Sequence, residues 1–178
     1  MGHRRIGAVI RHAGVTVRLT EVEAYDGTND PGSHAFRGMT RRNATMFGPP
    51  GRLYVYLSHG LHHCANLVTG PEGDPGAVLL RAGEVIEGVD IARGRRGSAA
   101  DRDLARGPGR LGQALGLTLA DDGSVPVLEP AKEQPTHVAG PRVGLTLAAD
   151  LPWRFWIEGD RYVSAYRRSP RAAPPETS

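Results

Sequence analysis

The residues predict an α+β fold in one domain: a curved, mostly antiparallel sheet with a few helices on its flanks. Three observations point to it. Short alternating or β-branched apolar segments recur between turn residues, helical spacing appears in only two stretches, and there is no internal repeat. At 178 residues the chain suits one domain able to bury its own core.

In chain order, Ile6 to Ile10 and Val15 to Leu19 form a hairpin around His12-Ala13-Gly14, and the second strand runs on towards Tyr25. From Asp26 to Gly51, Gly, Pro, Asn, Ser and Thr predict a long irregular loop of the kind that is functional or disordered. Leu53 to Leu57 and His62 to Val68 make a second hairpin with His59 at its tip. Ala77 to Arg81 reads as a buried strand and Glu84 to Arg95 as an amphipathic helix. Gly107-Pro108 opens a second helix through Leu117, since proline suits a helix entry and Leu111, Ala114 and Leu115 follow at helical spacing. Strands near Val125 to Leu128, Arg142 to Leu147, Arg154 to Ile157 and Tyr162 to Tyr166 complete the domain, the last two joined at Glu158-Gly159-Asp160. The domain is expected over residues 1–168, with a disordered tail over 169–178.

Composition excludes several classes. No run approaches the roughly 20 apolar residues of a membrane helix. Met1-Gly2-His3-Arg4-Arg5 is basic but lacks the apolar core of a secretory signal, so the cytoplasm is the expected compartment. One cysteine, Cys64, rules out an internal disulfide and any multi-cysteine zinc site. Lys132 is the one lysine among 22 basic residues, and Pro31 through Pro71 holds no Asp or Glu but carries Arg37, Arg41, Arg42, Arg52 and four histidines. Such a stretch suits a polyanion.

Alternation places Glu21, Glu23 and Tyr25 on one face of a strand that runs into the loop carrying His34. Two readings are open: solvated carboxylates on a strand edge, the commoner case, or part of a site. Tyr25, His34, Tyr54 and Tyr56 near a basic, acid-free segment favour a base-stacking pocket, in a chain only 6% aromatic.

The run Glu21-Val22-Glu23-Ala24-Tyr25, His34, Arg42-Asn43, Met46-Phe47 and Gly51-Arg52-Leu53-Tyr54-Val55-Tyr56 resembles the alkyladenine (3-methyladenine) DNA glycosylase family. So do Cys64-Ala65-Asn66, Val78 to Ala82, Gly107-Pro108, Gln113-Ala114-Leu115, Arg142-Val143-Gly144 and Arg154-Phe155, in order along nearly the whole chain. The resemblance implies a monofunctional base-excision repair glycosylase that flips alkylated or deaminated purines from double-stranded DNA and hydrolyses the N-glycosidic bond. It implies no cofactor and no metal, and a monomer in a bacterial cytoplasm, at the nucleoid when acting.

Residue by residue, the resemblance makes Glu23 the general base, with Arg81 holding the nucleophilic water beside it. Tyr25, His34 and Tyr56 would sandwich the flipped base, and Asn66 would crowd the 2-amino group of guanine. Tyr54 is expected in the core or behind the pocket. His59 takes the hairpin-tip place where the family carries a tyrosine wedge, and the helix that usually precedes the first hairpin is short or missing. The expected phosphate contacts are Arg41, Arg42 and Arg52, with Gly109 and Arg110 at a helix N-terminus. Gly107 to Gly112 also fits a dinucleotide fingerprint, but without its βαβ context. His59, His62, His63 and Cys64 approach metal-ligand spacing, yet His62 and His63 face opposite sides of a strand. A non-catalytic module that binds damaged DNA through the same pocket is the alternative.

Overall fold

The computed structural model describes residues 2–174. At its centre is β2 (Val15–Asp26), which takes two different neighbours along one edge. Its first half pairs with β1 (Val9–His12), and Glu21–Glu23 pair with β8 (Arg154–Ile157). The other edge pairs with β5 (Gly76–Glu87). The strands β3 (Leu53–Ser58), β4 (His62–Val68), β6 (Val127–Glu129) and β7 (His137–Gly140) complete one curved antiparallel sheet. Its order is β3-β4-β5-β2-β1-β6, with β7 on the far edge of β8. The helices α1 (Val89–Arg96) and α2 (Pro108–Leu115) cover one face, where Ala92, Leu111, Ala114 and Leu115 meet Val17, Leu19 and Leu80 in the main core. The expected α+β class is the one found.

Two bulges decide which way the carboxylates point. Between Leu19 and Glu21, β2 carries the extra residue Thr20; between Leu80 and Ala82, β5 carries Arg81, so the register lost at one is restored at the other. Each bulge inverts the alternation of its strand. Val15, Val17 and Leu19 face the core before it and Val22 after it, while Glu21 and Glu23 share the opposite face with Arg81. Strict alternation from Val15 would drive both carboxylates into the apolar core.

The strands β4 and β8 match their predicted bounds, and β3 extends one residue further. The first hairpin is tighter than expected: β1 begins at Val9, and Ala13 and Gly14 alone make the turn, both at positive φ (43° and 82°). The helix expected from Glu84 begins at Val89, because residues through Glu87 remain paired with β2 and Gly88, at φ 72°, breaks the strand. The second helix ends at Leu115, where Gly116 caps it at φ 73°. The strand near Val125 is the three-residue β6, and β7 has no counterpart in the sequence reading.

Strands expected at Arg142–Leu147 and Tyr162–Tyr166 do not form. The reason is where their backbone groups go: Val143 N–H donates to Glu23 and Ser164 N–H to Glu21, so the ladder bonds a strand needs are spent on carboxylates. Of the expected tail, residues 169–174 carry no helix or strand and 175–178 lie outside the described residues. Among the described residues, no helix is long and apolar enough to cross a membrane.

Candidate active site

A cavity of about 450 Å3 opens between the end of β2, the β3–β4 hairpin and the loop that carries His34. Glu23, Tyr25, His34, Tyr56, Asn66 and Arg81, drawn from five separate stretches of chain, all line it. Arg42 and His59 reach its rim.

Its floor is a buried charge cluster. Glu23 is fully buried, with Oε1 accepting from Val143 N–H at 2.7 Å and Oε2 from the Tyr25 hydroxyl at 2.8 Å. An Nη of Arg81 lies 3.3 Å from Glu23 Oε1, while its Nε donates to Glu21 Oε1 at 2.8 Å. Glu21, also fully buried, accepts further from Arg154 Nε at 2.7 Å, Ser164 N–H at 2.7 Å and Ser164 Oγ at 3.0 Å. Burial pushes the Glu21 carboxyl up, but Arg81 and Arg154 outweigh it and hold the group below the usual carboxylate range. The exposed strand edge that these carboxylates could have occupied is therefore not their setting.

Aromatic rings wall the cavity. Tyr54 and Tyr56 stack at 5.5 Å and 24°, and His34 meets Tyr56 edge-on at 4.6 Å. Tyr54 is 1% exposed, lines the cavity and hydrogen-bonds His34 Nδ1 at 3.1 Å, so this core tyrosine orients a neighbouring pocket residue. Desolvation in the cavity wall, then Arg42, lowers the His34 pKa. Burial, then Glu23, raises Tyr25 well above its ordinary value, so its hydroxyl keeps the proton it donates. Over the Tyr25 ring, 4.6 Å from its centroid, lies the guanidinium of Arg142, which is fully buried in an ion pair with Asp30. That pair fastens the His34 loop to the segment that carries Val143. Asn66 is buried, with its amide 3.4 Å from the Tyr54 carbonyl.

The mouth is open. Arg41 and Arg42 are exposed, and Arg42 donates to the Leu57 carbonyl at 2.9 Å. His59 (φ 50°) and Gly60 (φ 70°) form the β3–β4 turn, leaving His59 exposed and Leu61 74% exposed beside it. Arg52 is turned to the Gly123 carbonyl at 2.7 Å and does not line the cavity. Gly109 packs against His62, whose Cβ would lie 2.8 Å from any added side chain, and Arg110 lies 3.4 Å from Asp103. Pro108, at the start of α2, lines the cavity. Among the described residues, no three His, Cys, Asp or Glu side chains converge as a metal site requires.

Sequence reasoning missed what surrounds the two glutamates. Arg154, Ser164, the Val143 N–H and the Arg142–Asp30 pair have no role that the sequence alone assigns. One signal was present: Arg154 lies in the otherwise apolar run Trp153 to Ile157, where an arginine needs a buried partner.

The chain matches the family model described as methylpurine-DNA glycosylase over residues 2–161. A protein of Nocardia farcinica, provisionally named a 3-methyladenine DNA glycosylase, is 55% identical over 95% of this chain and 87% of its own length. Proteins of the same provisional name from Leifsonia xyli and Mycobacterium leprae are 50% and 49% identical, over 94% and 99% of this chain and 87% and 88% of their own lengths. The chain belongs to the methylpurine-DNA glycosylase family and is, as such, a monofunctional DNA glycosylase.

Proposed function

We propose that this cavity receives a damaged purine flipped out of duplex DNA and that Glu23 activates the water that displaces it. The observation that carries this reading is the position of Glu23: a fully buried carboxylate at the floor of a cavity walled by Tyr25, His34 and Tyr56. As the C1′–N bond breaks, its electron pair leaves with the base and positive charge develops at the sugar. The carboxylate opposes that charge and takes a proton from the attacking water, and an abasic site remains. A base already cationic through alkylation leaves neutral without further help, whereas hypoxanthine needs a proton. The proposed substrates are 3-methyladenine, 7-methylguanine, hypoxanthine and ethenoadenine.

Arg81, 3.3 Å from Glu23, would hold the water on the glutamate. Tyr25, His34 and Tyr56 would stack on the base, which tolerates different purines and favours electron-poor ones. Asn66 would exclude normal guanine by crowding its 2-amino group. The exposed tip with His59 is proposed to enter the duplex beside the flipped nucleotide, and Arg41, Arg42, Arg52, Gly109 and Arg110 to meet the phosphate backbone.

The test is incubation with duplexes carrying a single hypoxanthine or ethenoadenine, with EDTA present, followed by alkali. Strand breaks at the lesion support the reading. Tight binding without breaks would make the chain a non-catalytic binder, and breaks abolished by EDTA would move the chemistry to a metal. Lys132, the one lysine, is exposed and does not line the cavity, so borohydride should trap no covalent imine.

A further inference from the structure

We infer that Glu21 is a positioning residue: it anchors Arg81 by its Nε and shares the guanidinium with Glu23, leaving Glu23 basic enough to take a proton. The inference rests on Glu23 being the general base. Glu21 does not line the cavity, so it can act on a substrate only through its partners.

Three observations carry it. The two bulges, Thr20 in β2 and Arg81 in β5, bring Arg81 between the two glutamates. Arg81 is divided unequally between them, 2.8 Å from Glu21 and 3.3 Å from Glu23. Glu21 is itself fixed from the far side by Arg154 and Ser164, so the anchor cannot follow Arg81 towards the cavity. Two buried carboxylates and two buried guanidiniums also make the cluster neutral as a whole. Were Arg81 free to close on Glu23, a full charge-assisted hydrogen bond would occupy the oxygen that must receive the proton and make it a weaker base.

The charged and titratable groups around Glu23 come from every side. Its own strand supplies Glu21 and Tyr25, β5 supplies Arg81, and β8 supplies Arg154. The hairpin supplies Tyr56 and Cys64, the loop His34, and the segment after β7 Arg142, which reaches Glu23 only through the Tyr25 ring. Of these, Glu21, Arg154 and Arg142 do not line the cavity, and Glu21 is the one of the three that pairs with Arg81.

The test uses Glu21→Gln and the charge-balanced pair Glu21→Gln with Arg154→Gln, each checked for a cooperative thermal transition. The substrate is duplex DNA methylated with dimethyl sulfate, whose cationic purines need no proton from the enzyme. Single-turnover release is followed from pH 5 to pH 9. Both variants should lose about a hundredfold in rate, as a small misplacement of a catalytic group does, with lesion binding retained. The acidic limb of the rate profile should move about one unit lower, because a nearby opposite charge no longer shared acts wholly on Glu23. The paired variant keeps the net charge of the cluster, so its shift reports the release of Arg81 and decides the question where the single variant does not fold. Slower release with an unmoved acidic limb, or release equal to wild type, would overturn the inference. Absence of release by the wild type itself would instead sink the glycosylase reading on which it rests.

Discussion

At the floor of the cavity, Glu21, Glu23, Arg81 and Arg154 are at most 6% exposed, and each has two or more partners. At its mouth, Arg42 and His59 are exposed, as is Leu61 beside His59, and the turn that carries the last two is held by local bonds such as Leu61 N–H to the Ser58 carbonyl at 3.0 Å. At the floor, the bonds that Glu21 receives from Arg81, Arg154 and Ser164, and that Glu23 receives from Val143, join residues between 60 and 143 apart in sequence. The contrast separates two jobs. Chemistry on a bond needs charges whose positions are fixed before the substrate arrives, since reorganisation would consume part of the stabilisation. Contact with a flexible polyanion needs cations that can follow it.

If the floor is preorganised by buried charge, removing half of a buried pair should be costly. Asp30→Asn would leave Arg142 charged and unpaired at 0% exposure, and urea unfolding should show a loss of about 3–5 kcal/mol. A loss below about 1 kcal/mol would mean that water or another group compensates Arg142. If the mouth works by phosphate contact, Arg41→Ala with Arg42→Ala should make the log-affinity for undamaged duplex less dependent on log salt, by about 0.9 for each lost phosphate. An unchanged slope would place the DNA face elsewhere.

The smallest effect concerns acid. The folded-state pKa of the Glu21 carboxyl lies below its ordinary value of about 4.5, so the stability it contributes is present above that pH. It is lost as the pH falls through the lower folded value. The urea midpoint of the wild type should therefore fall on acidification from about pH 5 to 3, and that of Glu21→Gln should fall less. Parallel falls would show that other carboxylates carry the acid response.

The same contrast explains what the sequence discloses. The β3–β4 hairpin, β8 and the start of α2 are legible because alternation, turn residues and a helix-entry proline are local signals. Glu23 and Tyr25 are legible as a pair, through their shared face and the family resemblance. The burial of Glu21 is not, because a carboxylate in an alternating strand reads as exposed until its partners 60 and 133 residues away are known. Nor are the loops at 142–147 and 162–166, whose β-rich composition is overridden by N–H groups given to Glu23 and Glu21. The bulges at Thr20 and Arg81 leave no mark in composition, yet they keep the site out of the core.

Glu23 carries the proposed chemistry. Its most direct test is single-turnover base release from a lesion-containing duplex by wild type and by Glu23→Gln, with lesion binding measured in parallel. Glutamine keeps the shape, its carbonyl oxygen can still accept from Val143 N–H while its amide N–H donates to a reoriented Tyr25 hydroxyl, but it cannot take a proton. Release should fall by about a hundred- to ten-thousand-fold while lesion affinity stays close to wild type. Release by Glu23→Gln at the wild-type rate would contradict the assignment of the buried carboxylate as the base.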